Sequence, residues 1–187
     1  MSIAANKAAA RIRAKAVRDG LSPDARDFLR RWPGVPGSAV IGGYWPMGSE
    51  VDIRPLLERA SASNSVVLPV VVEGRRVLGW RRWTPGCAME AGPLRTTHPV
   101  GGVADGAAPP VPDVVLVPLL AFTRRGDRLG YGGGYYDATL AGLRADNPDL
   151  LALGIAHGGQ AVRVLPSEPH DQRLDAVLTE NGIIRFD

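Results

Sequence analysis

One stretch constrains this chain more than any other: residues 113–140, DVVLVPLLAFTRRGDRLGYGGGYYDATL. Val114 to Phe122 is a nearly unbroken apolar run, rich in β-branched residues and short enough for a buried strand. A charged loop over Thr123–Arg128 follows, then Gly130-Tyr131-Gly132-Gly133-Gly134. Beyond it Tyr136, Leu140 and Leu143 recur at helical spacing. Strand, glycine loop and helix in that order present backbone N–H groups and a positive helix end to an anion. Glycine lets the backbone reach positive φ and approach a ligand without a Cβ in between.

Two common phosphate loops are excluded. Tyr135 stands where GxGxxG needs its third glycine, and no Lys-Ser or Lys-Thr pair completes a GxxxxGK[ST] loop. A glycine run before a helix is often only a tight turn. Here Arg124, Arg125 and Arg128 precede it and Asp137 follows inside the helix. Arginines clamp phosphate oxygens, and an acid beside them can hold a cation.

The residues Ala121-Phe122, Gly126, Arg128-Leu129-Gly130, Gly132 and Gly134-Tyr135-Tyr136-Asp137 resemble the signature of the 5-formyltetrahydrofolate cyclo-ligases (5,10-methenyltetrahydrofolate synthetases). The resemblance extends to both ends. Lys7-Ala-Ala-Ala-Arg11, Arg18 and Leu21-Ser22 follow the family's opening pattern, with Ala10 where the family usually carries leucine. Gln160, Pro166, His170-Asp171, Asp175 and Thr179-Glu180 follow its closing one.

The resemblance implies a reaction and a set of roles. Conversion of 5-formyltetrahydrofolate to 5,10-methenyltetrahydrofolate would consume ATP, require Mg2+ and release ADP and phosphate through a phosphorylated formyl group. Lys7, Arg11 and Arg128 would bind the phosphates, with Leu129, Gly130, Tyr131, Gly132, Gly133, Gly134, Tyr135 and Tyr136 as the cradle. Arg11, Trp45, Glu50, Gly132–Gly134, Tyr135 and Tyr136 would meet the folate, with Tyr44 beside Trp45. Arg128 and Tyr136 would act on the transferring group. Asp137 and Asp175 would hold magnesium. Left to itself, Asp175 reads as a polar residue opening a strand, and Glu50 as a first-turn acid favoured by the helix dipole.

The rest of the chain reads as strands alternating with helices, which argues for a single three-layer α/β domain spanning 1–187. A mainly parallel central sheet flanked by helices would place ligands at the carboxyl ends of its strands. Helices are expected over Ile3–Arg18, from a Ser22-Pro23-Asp24 start to about Trp32, and from a Ser49 cap. Strands are expected over 38–44, 66–72, 76–83, 150–156 and 175–179, with Pro69 marking an edge or a bulge. The segment 84–112 is loop-rich and could hold a lid.

Composition supplies the exclusions. At 187 residues the chain can bury about 70% of its unfolded surface. No apolar window approaches the length of a membrane span. The single cysteine, Cys87, forbids an internal disulfide and fits a reducing, cytoplasmic setting, and nothing nearby would activate it as a nucleophile. His98, His157 and His170 lack zinc-ligand spacing. The formal charge is +3, and of 22 basic residues only Lys7 and Lys15 are lysine. Arginine doublets at 30–31, 75–76, 81–82 and 124–125 favour anionic ligands, although solvated surface explains most such pairs. No basic run with interleaved aromatics points to nucleic acid. The acid-poor start also fits a transit peptide, a reading the family match inside it outweighs. A monomer acting on folate and ATP is the expectation. The alternative is a non-catalytic sensor of sugar phosphates or nucleotides, which would bind without consuming ATP.

Overall fold

The computed structural model describes residues 2–22, 24–35, 37–101 and 110–186. Its centre is a seven-stranded sheet built from β1 (Val40–Gly42), β2 (Ser65–Val70), β3 (Gly79–Trp83), β6 (Val114–Pro118), β9 (Leu151–Ile155), β10 (Ala176–Thr179) and β11 (Gly182–Arg185). The order is β11-β10-β9-β6-β1-β2-β3. The five inner strands pair in parallel. The two edge strands, β3 and β11, run antiparallel to their neighbours. Two small hairpins complete the β-structure: β4 (Met89–Ala91) with β5 (Thr97–Pro99), and β7 (Ala121–Phe122) with β8 (Arg128–Leu129).

Alternation along the strands assigns the faces. Ile41, Val66, Leu68, Val114, Leu116, Leu153, Ile155 and Leu178 pack with Phe28 of α2 (Arg26–Arg31) and with Leu56, Leu57 and Ala60 of α3 (Arg54–Ser61). Their sequence neighbours Val67, Val115, Val117, Ala152 and Val177 pack on the opposite face with Leu140 of α4 (Tyr135–Asp146). Both faces are covered, which is why the inner strands read as continuous apolar runs. The three-layer α/β arrangement follows. The first helix, α1 (Ile3–Asp19), lies apart from these layers, and its Ala10 packs on Ala121 and Leu129 of the β7–β8 hairpin.

Several boundaries differ from the sequence expectation, each for a local reason. The second helix starts at Arg26 and not at Ser22, because Asp24 turns back to accept from the Arg26 N–H at 2.8 Å. The third starts at Arg54, where Asp52 accepts the Arg54 N–H, so Ser49 caps nothing and Glu50 lies outside the helix. The 114–122 run breaks after Pro118, and its last residues form β7. Pro69 sits on an inner strand, in β2. Its main chain points toward β1, as Val67 does when it accepts the Gly43 N–H, but β1 has already ended at Gly42. The missing donor therefore costs no ladder bond. The antiparallel edge β11 and the hairpin β4–β5 carry too few alternating residues to announce themselves. No helix among the described residues is long and apolar enough to cross a membrane.

Gly154, inside β9, shows how closely the α4-facing layer is filled. A Cβ there would come within 2.7 Å of Leu174, 2.9 Å of Leu119 and 2.9 Å of Val177. Gly154→Ala should lower stability by about 1–3 kcal/mol through overpacking, moving the thermal midpoint down by about 2–12 °C for a domain of this size. An unchanged midpoint in thermal unfolding would show instead that the three methyls rotate aside freely.

Candidate active site

A cavity of about 370 Å3 opens at the carboxyl edge of the inner strands. Tyr44, Trp45 and Met47 reach it from the chain leaving β1, Pro69 from the end of β2 and Pro118 from the end of β6. Leu94, Thr96 and Thr97 come from the β4–β5 hairpin, so the loop-rich segment does contribute a wall. The tip of that hairpin, Leu94-Arg95, holds two non-glycine residues at φ 58° and 63°. The floor is the loop 130–134, followed directly by α4.

That loop is held open by glycine. Gly132 has φ 100° and Gly134, which caps α4, has φ 71°. Among the described residues the fold supplies no acceptor for the backbone N–H groups of Gly130 to Gly134. A Cβ on Gly132 would lie 2.8 Å from Cζ of Arg11, whose Nε donates to the Gly130 carbonyl at 3.1 Å. The loop thus offers free donors at a helix N-terminus with a guanidinium against it.

Three ion pairs, made by two cations, form the polar wall. Lys7, 8% exposed, donates to Glu168 at 2.8 Å and to Asp171 at 2.6 Å. Burial works against the ammonium, but these two carboxylates outweigh it and raise its pKa, while Lys7 lowers that of Asp171 against the same opposing burial. Arg128 donates to Asp137 Oδ1 at 2.6 Å, and the Gln172 N–H donates to the same oxygen at 2.9 Å. Oδ2 of Asp137 has no hydrogen-bond partner among the described residues, and Arg128 Nε is buried without one. Glu168, His170 and Asp171 bring ligand-type atoms within 4.8 Å of one another, with the Lys7 ammonium already donating to both carboxylates.

Glu50, 3% exposed, also lines the cavity. Its Oε2 accepts from the Met47 N–H at 2.8 Å, while Oε1 is buried with no partner at hydrogen-bond distance among the described residues, the Tyr131 hydroxyl being the carboxylate's nearby polar neighbour. Arg18, 2% exposed, approaches that oxygen only to 3.9 Å and is engaged by Ser49, the Leu119 carbonyl and the Tyr131 hydroxyl. Burial raises the Glu50 pKa. Burial and the nearby Glu50 charge also raise the hydroxyl pKa values of Tyr44 and Tyr136. The Tyr44 hydroxyl donates to the Val51 carbonyl at 3.0 Å. Trp45 carries the Arg54 guanidinium over its outer side, 5.5 Å from the ring centroid.

One cavity gathers Lys7, Arg11, Tyr44, Trp45, Glu50, Arg128, Leu129, Gly130 to Gly134, Tyr135, Tyr136 and Asp137. Asp175 is not brought there. It immediately precedes β10, at the amino end of a parallel strand and so on the far edge of the sheet from the cavity. Its carboxylate takes Arg144 at 2.9 Å and the Ala152 N–H at 2.6 Å. The second carboxylate on the cavity is Asp171, four residues earlier. It stands within the closing pattern that includes His170-Asp171, so the signal was there, but the pattern does not say which aspartate turns inward. Met47, Pro69, Leu94, Thr96, Thr97 and Pro118 left no sequence signal, because each is placed by strand order and not by its neighbours. The basic residues of α1, Lys7, Arg11, Lys15 and Arg18, recur at the spacing of a solvated face, yet Lys7 and Arg18 are buried while Lys15 is exposed.

The chain as a whole is similar to known proteins. The profile of the 5-formyltetrahydrofolate cyclo-ligase family matches residues 10–180. The 5-formyltetrahydrofolate cyclo-ligase of Escherichia coli K12 is 31% identical over 165 residues, covering 87% of this chain and 90% of that one. That of Mycolicibacterium smegmatis is 33% identical over 180 residues, covering 91% and 88%. The NMR structure of Aquifex aeolicus 5,10-methenyltetrahydrofolate synthetase superposes with a TM-score of 0.76 at 26% identity, over 96% of this chain and 92% of that one.

Glu50 generates a pH prediction. Its folded pKa lies above the ordinary 4.5, so the folded state holds the proton more tightly than the unfolded one. That contribution to stability is complete below pH 4.5 and is lost as pH rises through the folded pKa. Glu50→Gln should therefore have a higher urea midpoint than the wild type at pH 7, with the gap closing toward acid pH. A variant that is less stable by the same amount at every pH would make Glu50 a purely structural residue.

Proposed function

The chain belongs to the 5-formyltetrahydrofolate cyclo-ligase family, and from that we propose that it closes the folate ring at the expense of ATP. In this reading the formyl oxygen of 5-formyltetrahydrofolate attacks the terminal phosphorus of ATP and ADP departs. The neighbouring folate nitrogen attacks the activated formyl carbon. Phosphate then leaves with the former formyl oxygen and the nitrogen loses its proton, giving 5,10-methenyltetrahydrofolate, ADP and phosphate.

The observation that carries this reading is that one cavity has both a buried, half-satisfied carboxylate and a floor of free N–H donors. A reduced pterin presents adjacent ring N–H and amino donors, which an ionised carboxylate accepts in parallel. Glu50 suits that edge, with Trp45, Tyr44 and Tyr136 against the ring. The opposite chemistry suits a polyphosphate: N–H groups of Gly130–Gly134, the α4 N-terminus and Arg11 neutralise charge. Phosphoryl transfer asks little covalent work of a protein, so positioning the formyl oxygen in line with the phosphate supplies most of the rate. Arg128, fixed by Asp137, is the side chain best placed to steady the transferring group.

Magnesium fits the donor set, because Asp137 keeps a free oxygen and Asp171 stands on the same wall. This ion accepts one or two carboxylates with water and phosphate making up the rest. When bound, it neutralises charge on the phosphate oxygens. Lys7 holds Asp171 in place for that role.

Incubation with 5-formyltetrahydrofolate, ATP and magnesium should produce the methenyl absorbance with an equal amount of ADP. Nucleotide binding without turnover would favour the sensor reading instead. Asp171→Asn should raise the magnesium concentration for half-maximal rate by about 10–100-fold, while Asp175→Asn should leave it unchanged; the reverse pattern would return the role to Asp175. Glu50→Gln should raise the folate KM by about ten- to a hundredfold, since charge-assisted hydrogen bonds are lost. Its ATP KM should not move, and a loss confined to ATP would remove Glu50 from the folate end.

A further inference from the structure

The cations at the cavity differ in what already neutralises them. Lys7 is committed to Glu168 and Asp171, and Arg128 to Asp137. Two guanidinium groups beside the glycine loop have no carboxylate partner among the described residues. One is Arg11, against Gly132. The other is Arg76, which stands outside the cavity lining but whose Nη1 lies 3.6 Å from the position a Cβ on Gly134 would take. Arg76 makes no hydrogen bond or ion pair to any described residue, and it belongs to no part of the signature motif.

Its position is built. Arg76 lies in the connection between β2 and β3, and two residues on, the Leu78 N–H donates to Thr139 Oγ1 at 2.9 Å. Thr139 is buried in α4, one turn beyond the loop, and its hydroxyl donates to the Tyr135 carbonyl at 2.7 Å. That pair of bonds docks the β2–β3 connection onto the first turns of α4 and carries Arg76 to the capping glycine. An unneutralised guanidinium thus stands where the helix N-terminus and the free N–H groups converge.

We propose that Arg76 is a further phosphate-binding residue of this site, closing on the polyphosphate from the α4 side while Arg11 holds it from the α1 side. The inference rests on the nucleotide reading given above. A triphosphate with one divalent ion still carries about two negative charges, and the cations of the signature are largely spent on carboxylates. A guanidinium suits the task, since its planar fork takes two phosphate oxygens at once. Because Arg76 is exposed, it costs the empty protein little and is free to swing onto the ligand.

The test uses the full chain with Arg76→Gln, Arg76→Lys and, as a control for surface charge, Arg75→Gln. Arg76→Gln should raise the ATP KM by about ten- to a hundredfold with the folate KM unmoved, Arg76→Lys should fall between, and Arg75→Gln should match the wild type. Thermal midpoints should agree across the set, because the side chain is exposed and makes no hydrogen bond or ion pair to any described residue. Calorimetric titration with inorganic tripolyphosphate should show the same order. An ATP KM and a tripolyphosphate affinity equal to wild type in Arg76→Gln would overturn the proposal, as would an equal loss in Arg75→Gln. A wild type that turns over no folate would overturn the ligase reaction, while the tripolyphosphate titration would still decide the role of Arg76.

Discussion

The parallel pairing of β1, β2, β6, β9 and β10, buried on both faces, is the constraint on which the rest of the molecule depends. Parallel neighbours cannot be joined by tight turns, so the chain returns over a face after each strand. Every inner strand then ends at the same edge, and the groups that follow β1, β2 and β6 meet there. Trp45, Pro69, Pro118 and the glycine loop share a cavity because their strands are adjacent in the order β6-β1-β2, although they are far apart in sequence. The opposite edge receives residues such as Asp175, which satisfy the sheet and not a ligand.

Electrostatics divides that cavity into two kinds of charge. Lys7 and Arg128 have carboxylates at hydrogen-bond distance, and these pairs stiffen the wall. Glu50 is the opposite case, since its buried Oε1 is left without a hydrogen bond and burial raises its pKa. A folded chain that keeps such a group carries a cost in the empty state, which is the usual form of a trade between stability and binding. The arginines on the glycine loop are exposed or half-exposed, so they carry no such cost and remain available to anions.

Where sequence and structure part, the cause is local hydrogen bonding or long-range packing. Asp24 and Asp52 accept N–H groups two residues on, forming turns that delay their helices. Ser49 looks like a helix cap, yet its hydroxyl bonds Asp19 and Arg18, some thirty positions upstream. Arg18 has the spacing of a solvated face on α1, yet it is buried between the glycine loop and the Glu50 segment. Local rules judge α1 as an isolated helix, whereas tertiary packing decides which of its faces meets water.

The sequence by itself determined the alternation of strand and helix, the glycine loop before α4 and the acid, Asp137, just inside that helix. These rest on side-chain periodicity and on glycine's access to positive φ, properties of a few neighbouring residues. Its likeness to the cyclo-ligases brought in Lys7, Arg11 and Glu50. Only the tertiary structure decided that Asp171 and not Asp175 faces the cavity, that Pro69 sits harmlessly on an inner strand, and that Arg76 stands over Gly134. Each of these depends on which distant segments meet: Lys7 with Asp171 across 164 positions, and Leu78 with Thr139 across 61. Strand order and the direction of a loop's return set such meetings, and no short stretch of sequence encodes either.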